Sequence, residues 1–164
     1  MRKFEVVSEE HRTAFNVFTD EKKGKHKFAK DIALPVRSDD GSAGYDFFLP
    51  CDLELLPAQK TIIWTDVKCQ LEPDDVMFVF IRSSLAIKQG LMLSNNVGVI
   101  DSSYYENESN DGNIGIALVN TTGKTVRMNE GERFAQGVIT KFFRMDDDIP
   151  NESDRKGGIG STGK

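Results

Sequence analysis

What most constrains this chain is its punctuation. From Ile32 onward, short apolar runs alternate with turn-forming Pro, Gly, Asn and Asp at near-regular intervals. The runs are Ala33–Val36, Tyr45–Leu49, Thr61–Trp64, Val67–Leu71, Val76–Ile81, Leu91–Leu93, Gly98–Ile100, Ile114–Val119, Thr125–Met128 and Phe134–Phe143. That spacing is the mark of an all-β sandwich or barrel. One segment departs from it. Ser83 to Gly90 carries good helix formers, a serine at its start and a glycine at its end, and it follows the most apolar run. It predicts a short helix with Ser83 as N-cap and Gly90 at C′.

The 164 residues fit one domain, and no internal repeat is visible. Hydrophobic content is 38%, low for a globular chain, which points to unpacked ends or to a core shared between subunits. A net charge of −5 excludes a broad nucleic-acid footprint. A polyphosphate ligand would have to be met by a few placed cations and backbone amides. Cys51 and Cys69 form no disulfide framework and read as reduced thiols of a cytoplasmic protein. No signal peptide opens the sequence and no apolar run approaches roughly 18 residues, so no membrane span is expected.

Three regions are expected. Residues 1–30 form an N-terminal extension in which Phe4–Val7 and Phe15–Phe18 alternate like the strands of a hairpin, followed by a charged surface loop. Residues 31–150 form the β-domain. Residues 151–164 are polar and glycine-rich, cannot pack by themselves, and read as a flexible tail. His11 and His26 stand isolated, with no second ligand at metal spacing.

Several short pieces could carry chemistry. Arg82-Ser83-Ser84 sets a guanidinium fork and two hydroxyls at a helix start, where free amides favour an anion. An ordinary capped helix is the alternative. Asn95 to Tyr104 reads as a short β-hairpin with Asp101 inside an apolar pattern; such a carboxylate sits at a strand end or orients a water. Tyr104 is either a flat floor for a ligand or a core aromatic. Asp46, among aromatics, needs a partner if buried, and Arg82 or Arg133 would serve. Arg133 and Gln136 fall near the start of a strand. In the tail, Gly157 to Gly163 can turn amides inward as an anion nest, but it lacks the Gly-Lys-Ser/Thr order of a P-loop.

In this order, Ala43-Gly44-Tyr45-Asp46, Arg82-Ser83-Ser84-Leu85-Ala86, Gly98-Val99-Ile100-Asp101 with Tyr104, Arg133-Phe134-Ala135-Gln136 and Gly157–Gly163 resemble the trimeric dUTPase family across residues 32–164. The resemblance implies a jelly-roll-like β-barrel that assembles as a homotrimer with shared active sites. It implies hydrolysis of dUTP to dUMP and pyrophosphate, with Mg²⁺ held through phosphates and water rather than by side chains. One chain would supply Asp46, Arg82, Ser83, Ser84 and Gln136, with Arg133 behind them. A second would bring Asn95 and the Gly98, Val99 and Ile100 backbone to the uracil, Asp101 to the water and Tyr104 to the deoxyribose. A third would lay Arg155, Ile159, Gly160, Ser161 and Thr162 over the nucleotide as a flap. The chain departs from the family pattern at Ile159, where Phe is usual, at Ser103, where Asp is frequent, and in 105–112, an acidic insertion.

Two alternatives are set against this. A dCTP deaminase shares the fold, but the position of its glutamate is taken here by Ala117, which cannot shuttle a proton. A protein-binding regulator on the same scaffold would use residues 1–30 and 105–112 as partner surfaces.

Overall fold

The computed structural model describes residues 1–12 and 31–149. In chain order the strands are β1 (Lys3–Val6), β2 (Val36–Arg37), β3 (Gly44–Phe48), β4 (Leu53–Leu55), β5 (Lys60–Trp64), β6 (Val67–Gln70) and β7 (Asp75–Ile81). Helix α1 (Ser83–Gln89) follows, then β8 (Leu91–Leu93), β9 (Gly98–Asp101), β10 (Gly115–Asn120), β11 (Val126–Met128) and β12 (Arg133–Lys141). The described residues are thus mainly β, as the punctuation predicts. None of their helices is long and apolar enough to cross a membrane.

The strands form a five-stranded sheet in the order β2-β3-β12-β7-β9, a three-stranded sheet β5-β10-β8, and the pairs β1-β6 and β4-β11. Every pairing is antiparallel. The arrangement is jelly-roll-like. β10 shows why these segments are strands: its residues alternate between partial and full burial, so one face, Ile116, Leu118 and Asn120, packs inward. Phe47, Leu55, Met77, Leu91, Ile114, Leu118 and Phe134 meet in one core beneath both larger sheets.

The structure corrects several expectations. Asn95 to Tyr104 is not a hairpin. β8 pairs with β10 and β9 pairs with β7, so the chain crosses from one sheet to the other through a turn at 94–97. Asn96 takes the left-handed conformation there, with φ 63°. Ser83 is not the N-cap. Arg82 holds that position and no side chain caps the helix, because β7 runs straight into it and places both serines inside its first turn. Gly90 does end the helix in the left-handed conformation, its amide donating back to the Ala86 and Leu85 carbonyls. β1 pairs with β6, so residues 3–6 join the sheet structure; the second strand expected at 15–18 lies outside the described residues. β2 is shorter than its apolar run, which contains Pro35, a residue with no amide to donate. β4 was not marked by the apolar pattern and is recruited by β11.

Candidate active site

The five-stranded sheet brings one charged cluster together. Asp46 on β3 lies directly across from Gln136 on β12 and from Val36 on β2. Arg82 follows the end of β7, and Arg133 opens β12. Asp46 is 4% exposed. Its Oδ1 lies 3.2 Å from Arg82 Nε, and its Oδ2 accepts from Arg133 Nη1 at 3.1 Å. Ser38 Oγ donates to the same Oδ2 at 3.2 Å. A buried carboxylate is tolerable with this many partners, and its role is to fix the directions of two guanidinium groups. Two cations against one anion leave an excess of positive charge.

That excess faces an open cleft of about 380 Å³, lined by Ser38, Ser42, Asp46, Arg82, Ser83 and Gln136 among others. Gln136 reaches over Gly44: a Cβ there would stand 2.7 Å from its Oε1. A side chain at position 44 would therefore displace this carboxamide. Ser83 and Ser84 are exposed at the first turn of α1. The first amides of a helix have no partner within it. Guanidinium, hydroxyl, carboxamide and amide donors together suit phosphate oxygens.

A second cluster sits elsewhere on the same sheet. β9 is the outermost strand, so one edge of Gly98, Val99 and Ile100 has no neighbouring strand within the sheet. Gly98 is close to β7, where a Cβ would stand 3.0 Å from Val79 Cβ. Asp101 ends the strand opposite Val76 and leads into a 3₁₀ turn, Ser102–Tyr104. Ser103 Oγ donates to Asp101 Oδ1 at 2.7 Å. Asn95 is exposed in the preceding turn. Tyr104 is buried in the core, 5% exposed, and its hydroxyl donates to the Asn113 carbonyl at 2.7 Å. Of the two readings of Tyr104, the core aromatic describes its place in one copy, with a small edge left exposed.

The two clusters are far apart. Asp101 pairs near the start of β7 and Arg82 follows its end. At ~3.3 Å per strand residue, this separates them by about 20 Å within one chain.

The dUTPase family model matches residues 30–163. The chain belongs to the dUTPase family. It is 39% identical over 133 residues to a deoxyuridine 5′-triphosphate nucleotidohydrolase of Lactococcus lactis, covering 80% of this chain and 89% of that one. A dUTPase crystal structure from Streptococcus mutans superposes with a TM-score of 0.69 at 34% identity, covering 87% of this chain and 98% of the other. The dUTPase of the Staphylococcus aureus phage phi11 shares the fold, with a TM-score of 0.67 at 22% identity over 94% and 98% of the chains.

Among the described residues no group of three or more His, Cys, Asp or Glu side chains converges to hold a metal. Asp46, the carboxylate in the cleft, is taken by two arginines. Sequence reasoning missed Ser38, which braces both Asp46 and Arg133. The usable signal was its place one residue after the strand that pairs with Asp46. Arg155, Ile159, Gly160, Ser161 and Thr162 lie outside the described residues.

Proposed function

We propose that this chain hydrolyses dUTP to dUMP and pyrophosphate at sites shared between subunits of a homotrimer. The separation along β7 carries the reading. Asp101 on β9 lies opposite Val76 near the start of β7 and Arg82 follows the end of β7, so one copy cannot bring both to one phosphate chain. A neighbouring copy can present its Asp101 to this copy's cleft.

The residues then divide the work. Arg82, Ser83, Ser84 and Gln136 bind the phosphates, and Asp46 with Arg133 keeps Arg82 aimed. Phosphoryl transfer needs chiefly positioning and charge stabilisation, which is what such donors supply. Mg²⁺, held by phosphate oxygens and water, would neutralise charge on the leaving pyrophosphate. Asp101 orients the attacking water beside the α-phosphorus. Ser103 fixes one carboxylate oxygen of Asp101, which sets the direction of the other. The open edge of β9 and Asn95 read the uracil by paired hydrogen bonds. A site built for such bonds rejects an analogue lacking them by about 10⁴-fold or more. Tyr104 meets the deoxyribose, and the glycine-rich tail covers the nucleotide.

A pyrophosphate-release assay across dUTP, dTTP, dCTP and UTP tests the reading, with dUTP expected to dominate and EDTA to abolish turnover until Mg²⁺ is restored. Asp101→Asn is expected to lower kcat by about 10²–10⁴-fold while a non-hydrolysable α,β-imido analogue of dUTP still binds. Full activity in that variant would remove Asp101 from its role.

A further inference from the structure

Residues 105–113 follow the 3₁₀ turn that carries Asp101 at its head, and they are unusually rich in asparagine. The asparagine side chains are turned inward or half-buried. Asn107 and Asn113 are buried, at 6% and 1% exposure. Asn107 Nδ2 donates to the Tyr104 carbonyl at 2.8 Å and to Asn110 Oδ1 at 2.7 Å. Asn107 Oδ1 in turn accepts from Ser109 N at 3.1 Å and Asn110 N at 3.3 Å. Asn110 Nδ2 donates to Tyr104 Oη at 2.8 Å and to the Asn113 carbonyl at 3.3 Å. Tyr104 is thus gripped at both ends. Its carbonyl is held by Asn107, and its hydroxyl lies between Asn110 and Asn113.

The far side of the loop is anchored as firmly. Asn113 Nδ2 donates to Asp66 Oδ1 at 3.0 Å and to the His11 carbonyl at 3.1 Å. Lys68 Nζ donates to Asp111 Oδ1 at 2.9 Å and to Glu106 Oε1 at 3.2 Å. The Ser8 amide donates to Asp111 Oδ2 at 2.7 Å. Tyr105 donates its hydroxyl proton to Glu5. Glu106 and Asp111 are therefore turned onto Lys68, and Asp111 also onto Ser8.

We propose that Asn110, with Asn107, is a positioning residue for the hydrolytic step. A catalytic group must be held within about 0.5 Å of its productive place by supporting contacts. Asp101 caps the start of a 3₁₀ turn of three residues, and Ser103 on that turn orients its carboxylate. Tyr104 ends the turn, so a fixed Tyr104 fixes the turn. Asn110 acts through Tyr104 and does not touch substrate. The inference rests on the reading of Asp101 as the residue that orients water.

The test is steady-state kinetics of Asn110→Ala, Tyr104→Phe and the double variant, with binding of the α,β-imido dUTP analogue measured on each. Asn110→Ala is expected to lower kcat by about 10-fold to 10²-fold with analogue affinity within about 2-fold, as a small misplacement of a catalytic group would. The double variant is expected to be no slower than the worse single one, because both break the same link. Glu108→Ala, an exposed change on the same loop, is expected to leave kcat unchanged. An unchanged kcat in Asn110→Ala, a parallel fall of kcat and affinity, or multiplying losses in the double variant would each overturn the proposal. If Asn110→Ala does not fold, Asn110→Ser carries the same comparison. An inactive Asp101→Asn beside a fully active Asn110→Ala would sink this role alone. A fully active Asp101→Asn would sink the underlying reading.

Discussion

Asp46 and Asp75 are both buried carboxylates on the same sheet, and their surroundings give them different work. Asp46 holds two arginines, of which Arg82 lines the cleft. Asp46→Ala would free Arg82 and Arg133 to wander while leaving them partly solvated. Stability is expected to fall by about 1–3 kcal/mol in urea unfolding, and the KM for dUTP to rise. Asp75 is 1% exposed and has no part in the cleft. It accepts from Arg2 Nε at 2.5 Å and Nη2 at 2.9 Å, pairs with Lys141 at 3.0 Å, and receives the Glu72 amide at 2.9 Å. The Arg2 hydrogen bond foremost holds its carboxyl far below the usual carboxylate range. A depressed carboxyl contributes stability that is present above its unfolded pKa of about 3.9 and is lost as pH falls below it. Asp75→Asn is therefore expected to lower the urea midpoint at neutral pH and to narrow its gap from the wild type near pH ~3.

Helix α1 is closed tightly at its C-terminal end. α1 stops at Gly90, whose φ of 65° disfavours a side chain, and a Cβ there would stand 2.3 Å from Thr122 Cγ2. Thr121 is tied to the same place: its amide and its Oγ1 both donate to the Gly90 carbonyl, at 3.0 and 2.7 Å. Gly90→Ala is expected to destabilise the protein by about 1–3 kcal/mol, read as a lower Tm, from left-handed strain plus the clash. β9 shows the opposite economy of contact. As the outer strand it pairs on one side with β7 and leaves Val99 55% exposed on the other. An edge left open in this way suits recognition of a flat hydrogen-bonding ligand by backbone groups.

At the scale of the whole molecule, the separation of Asp101 from Arg82 makes a shared site testable without any structure of the assembly. Arg82→Ala and Asp101→Asn proteins are each expected to be nearly inactive. Unfolded together and refolded as mixed trimers, they would regain activity, because a site could draw an intact Arg82 from one copy and an intact Asp101 from another. For random mixing in equal amounts, about a quarter of the sites would be whole, given a site that crosses one subunit boundary in a closed ring. No recovery in mixtures shown by mass to contain both chains would place the whole site in one copy.

Much of this was legible in the chain itself. The alternation of β10, the helix former run ending in Gly90, and the need of Asp46 for a basic partner all follow from local pattern and from the chemistry of single residues. The identity of the partners was narrowed to Arg82 or Arg133; the fold uses both. Local pattern records which face of a segment is buried. It does not record which distant strand that segment hydrogen-bonds to. So the sequence suggested a hairpin at 95–104, while that stretch holds a single strand, β9, which pairs with β7, followed by a 3₁₀ turn. The same long-range pairing puts Asp101 and Arg82 at opposite ends of β7, draws Tyr104 into the core, and folds Glu106 and Asp111 back onto Lys68. Composition and motif determined what chemistry the chain could perform. Tertiary hydrogen bonding decided which residues of one copy can act together, because only strand register converts a position in sequence into a position in space.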